Sequence, residues 1–152
     1  MALPNIFTKE VSADFIQRIK NLNAQTQPKW GSMSVAQMLA HCCVTYEMIY
    51  DNKHPKPNTL MRLMLKAFVK NTVVNETAYK HNSRTAPQFI IKEDKVFEAE
   101  KGRLIQYIQK TQGLGENAFD NKESHSFGKL TKTEWNNMFY KHLNHHLSQF
   151  GV

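Results

Sequence analysis

The sequence predicts an all-α fold, an antiparallel helical bundle. Three observations carry this expectation. Apolar residues recur at helical spacing through long segments. Two segments open on a capping box, Ser34 with Gln37 and Thr131 with Glu134. No segment alternates apolar and polar residues beside a hairpin turn, as paired strands would.

The first helix is expected to start at Ser12 as N-cap and to run through VSADFIQRIKNLN, with Phe15, Ile16, Ile19 and Leu22 on one stripe. The stretch QTQPKWG, from Gln25 to Gly31, breaks the pattern. The second helix opens at SVAQ and continues through MLAHCCVTYEMIYD, with Val35, Met38, Leu39, Cys42, Tyr46 and Ile49 as its apolar stripe. HPKP, from His54 to Pro57, ends it, because proline removes a donor and clashes with the preceding turn. Asn58 caps a third, shorter helix, TLMRLMLKAFVKNT, whose Leu and Met content predicts burial on more than one side. Residues 73–92 give no assignable pattern and read as a long connection interrupted by Pro87. A fourth main helix fits EDKVFEAEKGRLIQYIQKTQ, weakened slightly by Gly102. GLGENAFDNKESHSFGK reads as a second connection. The last helix runs from the Thr131 cap to about Phe150, and Gly151 suits its C-terminal end. The sum is four main helices, one shorter helix and two long crossings, in a single domain spanning residues 1–152.

Composition narrows the function classes. Hydrophobic residues at 41% and charged residues at 22% are ordinary for a soluble globular chain. No apolar run approaches the ~20 residues of a membrane span. The start, MALPNIFTKEVSADF, lacks the basic-then-apolar pattern of a signal peptide, so a cytoplasmic location is expected. Cys42 and Cys43 are adjacent and point apart on a helix, which disfavours a disulfide and predicts two small core residues. The net charge of +7 raises the question of nucleic acid. The basic residues are dispersed, however. The best cluster, Arg62, Lys66 and Lys70, reads as a solvated helix face. No aromatic interleaving or docking motif accompanies it, so nucleic acid ranks last among the partners.

The histidines are the chemical signal. On a wheel of ~100° per residue, Trp135, Phe139, His142, Leu143, His146 and Phe150 of the last helix fall within an arc of roughly 100°, the width of a core-facing stripe. His145 lies off its edge. Two inward imidazoles one turn apart must each satisfy a donor and an acceptor. A hydrogen-bonded core pair and a divalent metal both answer that need, because neutral imidazole ligates transition metals and i, i+4 rings span one ion. A catalytic site needs a third protein ligand and an open position. His41 is the candidate, at the border of the second helix's stripe beside Thr45 and Met38. His54, His81 and His125 lie in connections.

WGSMSVAQMLAHC, from Trp30 to Cys42, resembles the second-helix signature of the DinB-like superfamily. SHSFGKLTKTEWNNMFYKHLNHHLSQFG, from Ser124 to Gly151, resembles its last helix and preceding loop. Together with RTAPQF and FEAEKGRLI, the chain is similar to a domain-of-unknown-function branch of that superfamily. The resemblance implies a four-helix bundle with a long crossover. It also implies a metal held by one histidine of the second helix and an HxxxH pair of the last, positions matched by His41, His142 and His146. Some members use zinc or nickel in transfer or isomerisation reactions with low-molecular-weight thiols. Others have no known activity, some lack the metal, and homodimers are common. HSFG before the last helix makes His125 a candidate proton shuttle or substrate contact, against the favoured alternative of a loop histidine bonded to backbone. Gln37, Trp30 and Tyr140 are pocket candidates, although residues so placed are more often a cap, a staple or a packing residue.

Two functions follow as expectations. The first is an enzyme, a metal-dependent thiol S-transferase or hydrolase-like activity, in which a three-histidine metal activates a small thiol toward a small electrophile. Zinc or nickel is the expected metal, with iron allowed, because histidine ligation does not choose among them. The second is a metal- or ligand-binding bundle without turnover, a sensor or interaction protein, which the lack of an accompanying carboxylate keeps open.

Overall fold

The computed structural model of the chain describes residues 2–152. Among these residues there are six α-helices and one two-stranded antiparallel sheet. The helices are α1 (Lys9–Lys20), α2 (Val35–Tyr50), α3 (Thr59–Phe68), α4 (Lys70–Val74), α5 (Phe97–Leu114) and α6 (Lys132–Gln149). The strands β1 (Lys122–Ser124) and β2 (Gly128–Leu130) pair with Lys122 opposite Leu130. No helix is long and apolar enough to cross a membrane.

Both capping boxes form as expected. The Ser34 side chain accepts from the Gln37 backbone N–H and starts α2, and Thr131 with Glu134 does the same for α6. Asn58 caps α3, accepting from Met61 N–H. The first helix differs from expectation. Thr8, not Ser12, is the N-cap, and its hydroxyl accepts from Val11 N–H. Ser12 sits inside the helix and donates back to the Lys9 carbonyl. The earlier start follows from Ile6 and Phe7, which are buried and pin the chain to the core just before the cap. The Asn136 side chain on α6 accepts from Ile6 N–H at 2.8 Å and donates to the Pro4 carbonyl.

α2 packs along α5 and against α6, and α1 packs against the same two helices. Between them lies an apolar core that includes Phe15, Ile19, Met38, Leu39, Leu104, Ile108 and Trp135, all essentially inaccessible. Tyr46 of α2 stacks on Phe139 of α6 with ring centroids 5.2 Å apart. Each fully buried side chain of this size contributes ~1.5–3 kcal/mol, so the α2–α6 contact is secured by packing. Cys42 and Cys43 are free and buried in this core, as expected. Burial pushes the Cys43 thiol up to about 12 and Cys42 well up, which makes both poor nucleophiles.

Three expectations for the connections are corrected. The third helix breaks at Val69 into α3 and α4, and α3 buries none of its residues. Leu60, Leu63 and Phe68 are 60–80% exposed, with Met61 and Met64 about half exposed. Its polar side turns inward: Arg62 pairs with Glu123 of β1, and Lys70 of α4 pairs with Glu134 at 2.8 Å. Of the basic cluster, Arg62 and Lys70 are thus ion-paired within the chain, and Lys66 is exposed to solvent as expected. The β1–β2 hairpin lies in a segment expected to be irregular, so the fold is mostly helical rather than all-α. Three-residue strands are too short to show a period, and Gly128, at φ +74°, takes the turn's left-handed position.

The crossover from α4 to α5 is held down by α6. Lys141, almost fully buried, donates to the Thr72 carbonyl at 2.7 Å and to Asn75 Oδ1 at 2.8 Å, and its ammonium lies 4.5 Å from the Tyr79 ring centre. Asn137 donates to the Val74 carbonyl. These contacts carry the chain past the C-terminal half of α6, where the histidines lie.

Candidate metal centre

α2 delivers His41 from its middle, and α6 delivers His142 and His146 one turn apart. The structure brings the three rings together. Ring centres lie 4.9 Å apart for His41–His142, 4.4 Å for His41–His146 and 4.9 Å for His142–His146. One ring nitrogen from each lies within 4.8 Å of the others. His41 and His146 are buried and His142 is partly so. The Phe89 ring flanks His41 and His142 with centres 5.3 and 5.7 Å away.

The outward nitrogens decide how the rings are protonated. His41 Nδ1 is 2.8 Å from the Phe89 carbonyl, which only accepts, so Nδ1 carries the hydrogen. His146 Nδ1 is 2.9 Å from Gln149 Oε1. The Gln149 amide is oriented because its Nε2 donates to the Trp30 carbonyl at 2.7 Å. His146 Nδ1 therefore also donates. Both rings keep a bare Nε2 facing inward. His142 Nδ1 meets a different partner, the Thr45 hydroxyl at 3.1 Å, which is able to donate or to accept. Its Nε2 lies 2.9 Å from His41 Nε2.

Burial lowers all three imidazole pKa values, that of His146 to about 3 and that of His142 well below the usual range. Loss of solvation is the main cause, and the neighbouring histidines add to it for His142 and His146. For His41 the Phe89 carbonyl opposes the shift in part. The rings are neutral at physiological pH, the form that ligates a metal.

The donor set fits a transition ion. Ligand nitrogens ~2.0–2.1 Å from a tetrahedral ion lie about 3.3 Å from each other. The His41 and His142 Nε2 atoms are 2.9 Å apart, and the ligand nitrogens of all three rings lie within 4.8 Å of one another. Three neutral imidazoles with anchored outer nitrogens leave a fourth position for water or substrate. The group contains no carboxylate.

The remaining histidines lie outside this group. His145 packs its ring against His146, Trp30 and Tyr79 with centres 5.0–5.8 Å apart. His81 stacks flat on Trp30 at 3.7 Å. His54 pairs with Glu47 at 2.7 Å. His125 donates from Nε2 to the His54 carbonyl in the α2–α3 connection at 3.2 Å, and its Nδ1 meets the neighbouring Ser126 Oγ at 2.9 Å, so both nitrogens have partners outside the three-histidine group. Gln37 serves as cap and also reaches the Glu93 carbonyl, and Tyr140 packs edge-on against Phe15.

Sequence reasoning missed three groups that orient the ligands. Gln149 lies three residues after His146, a spacing that places it beside that ring on α6, whereas Thr45 of α2 meets His142 across the helix interface. The Phe89 carbonyl has no side-chain signature at all.

Compared with known proteins, residues 7–151 match a family described as a protein of unknown function, DUF1569. No curated protein and no solved structure matches the chain.

Proposed function

The chain belongs to the DUF1569 family, and from that premise we propose a metal-dependent enzyme of DinB-like type, acting on a low-molecular-weight thiol and a small electrophile. His41, His142 and His146 hold the divalent ion, zinc or nickel first and iron as the further option. The observation that carries this reading is the pair of inward, neutral Nε2 atoms on His41 and His146, fixed by the Phe89 carbonyl and Gln149. Three buried rings whose ligand nitrogens converge within 4.8 Å, two of them with inward lone pairs, are the arrangement a shared cation would use. A bound ion supplies Lewis acidity that lowers the pKa of a coordinated thiol. The chain's own contribution is orientation and dryness: three anchored rings, with the Phe89 face beside two of them. Cys42 and Cys43 take no part, being buried and held as thiols.

The same reading takes residues 1–152 as one domain, with α1, α2, α5 and α6 as the four bundle helices and α3 and α4 in the long crossover. The mutual packing of those four helices supports it. Two free thiols support a cytoplasmic location. A homodimer is part of the proposal, and the apolar outer face of α3 is the surface that supports it.

A non-catalytic metal- or ligand-binding protein is the second reading. It is favoured by one observation: no carboxylate joins the three histidines, so no acid or base is evident beside them. Protein purified from zinc- or nickel-supplemented medium is expected to carry about one ion per chain by elemental analysis, and His142→Ala to carry almost none. Wild type without metal under those conditions sinks the proposal. Turnover in a panel of thiols with electrophiles selects the enzyme, and metal binding without thiol binding selects the second reading.

A further inference from the structure

We propose that Thr45 is a positioning residue whose hydroxyl lets His142 exchange tautomers, so that the His41–His142 contact is satisfied by a hydrogen between the two rings and His142 Nε2 is bare when a cation lies there. The inference rests on the metal reading above and concerns how this chain prepares for the ion.

His41 and His146 have no choice of tautomer, because each Nδ1 faces an oxygen that only accepts. His41 therefore presents a lone pair from Nε2. His142 Nε2 faces that lone pair at 2.9 Å, a distance at which two bare nitrogens repel and an N–H···N bond is well formed. In one arrangement His142 carries its hydrogen on Nε2 and donates it to His41. Its Nδ1 is then bare, and the Thr45 hydroxyl, 3.1 Å away, donates to it. In the other arrangement a cation occupies the space among the rings, and all three Nε2 atoms must be bare. His142 then carries its hydrogen on Nδ1 and donates it to Thr45 Oγ1. The hydroxyl turns to the carbonyl one turn back in α2, an acceptor that helical threonines commonly use. The ring loses one hydrogen at Nε2 and gains one at Nδ1, so its charge does not change.

A hydroxyl is the group this position needs. A carbonyl there would lock His142 like its two neighbours, leaving no hydrogen for the His41 contact. A methyl would leave Nδ1 unsatisfied in a buried setting, since Thr45 is only 7% exposed. The two locked rings and the one adaptable ring are thus set by the chemistry of their outer partners.

Nitrogen-15 NMR of histidine-labelled protein reads tautomers directly. In chelator-treated wild type, His41 and His146 are expected as Nδ1–H and His142 as Nε2–H. On titration with zinc, His142 is expected to become Nδ1–H while the other two keep their form. Thr45→Val is expected to weaken zinc binding about 10- to 100-fold, and Thr45→Ser to restore it, with the melting temperature of each chelator-treated variant measured alongside. Zinc binding by wild type with His142 in one tautomer throughout overturns the exchange, as does a folded Thr45→Val that binds zinc like wild type. Wild type that takes up no zinc at all overturns the metal reading itself.

Discussion

Gln149 joins two parts of the chain at once. Its amide nitrogen donates to the Trp30 carbonyl, and its amide oxygen receives the His146 Nδ1 hydrogen. Its own backbone carbonyl accepts from Lys29 N–H at 2.7 Å. Gly31 sits over it at φ +80°, where an added Cβ would lie 2.7 Å from Gln149 Nε2, so the glycine is needed for both backbone and space. The two side-chain roles separate by substitution. Gln149→Leu removes both and is expected to weaken metal binding 10- to 100-fold, the usual effect of losing a group that orients a ligand. Gln149→Glu keeps an acceptor for His146 but sets a carboxylate against the Trp30 carbonyl. It is expected to hold metal near wild-type strength while lowering the melting temperature. If the two variants bind metal alike, Gln149 only anchors the loop. At this scale the ligand imidazoles were legible, because a helix wheel fixes which side chains share a face. The groups that hold them were not, since one is a backbone carbonyl and the others are ordinary polar residues until a partner helix approaches.

α3 shows what a periodic pattern leaves open. Leu60, Leu63, Met64 and Phe68 recur at helical spacing and were expected to be buried on more than one side. Periodicity fixes that these residues share a face and says nothing about what lies against it. Here Arg62 is drawn toward Glu123, the adjoining Lys70 toward Glu134, and the apolar face turns to solvent. Contiguous exposed apolar residues such as Leu60, Leu63, Met64 and Phe68 are the kind of surface that marks an interaction site. Arg62 and Lys70 are matched within the chain, and Lys66 projects from the polar side away from the stripe, so an apolar partner suits the stripe better than an anionic one. A second copy offers the same uncharged stripe without juxtaposing like charges. Light scattering is therefore expected to give a dimer for wild type and a monomer for Leu63→Glu with Met64→Glu. The substituted residues are exposed, so each is expected to shift monomer stability by only ~0.5 kcal/mol. A wild type that stays monomeric at high concentration removes the dimer from the proposal. The β1–β2 hairpin was illegible for a different reason: its strands hold three residues each and are placed by hydrogen bonds, not by a hydrophobic rhythm.

Across the whole molecule, the framework was legible because α5 and α6 each bury a stripe long enough to show its period, and α2 and α6 announce their starts with capping boxes, although α2 is buried almost all round from Val35 to Glu47. What escaped was how the connections dock. The segment before α1 enters the core through Ile6 and Phe7, and the crossover is pinned by Lys141, and both depend on partners remote in sequence. This architecture bears on what a metal does to stability. The ligands come from α2 and α6, yet those helices already meet through Tyr46 and Phe139. The ion is thus not needed to join them, unlike small zinc domains that unfold without metal. Chelator-treated protein is expected to stay folded and to melt cooperatively. An ion that binds only the folded state adds ~2.7 kcal/mol when its free concentration is 100 times its dissociation constant. For a chain of this length each kcal/mol raises the melting temperature by ~2–4 °C, so zinc at that level is expected to add roughly 5–11 °C. His142→Ala is expected to melt at the same temperature with and without zinc. Two results count against this account, both read from circular-dichroism melts: unfolding on chelation alone, which would make the ion a structural staple, and an equal zinc shift in His142→Ala, which would place the binding elsewhere.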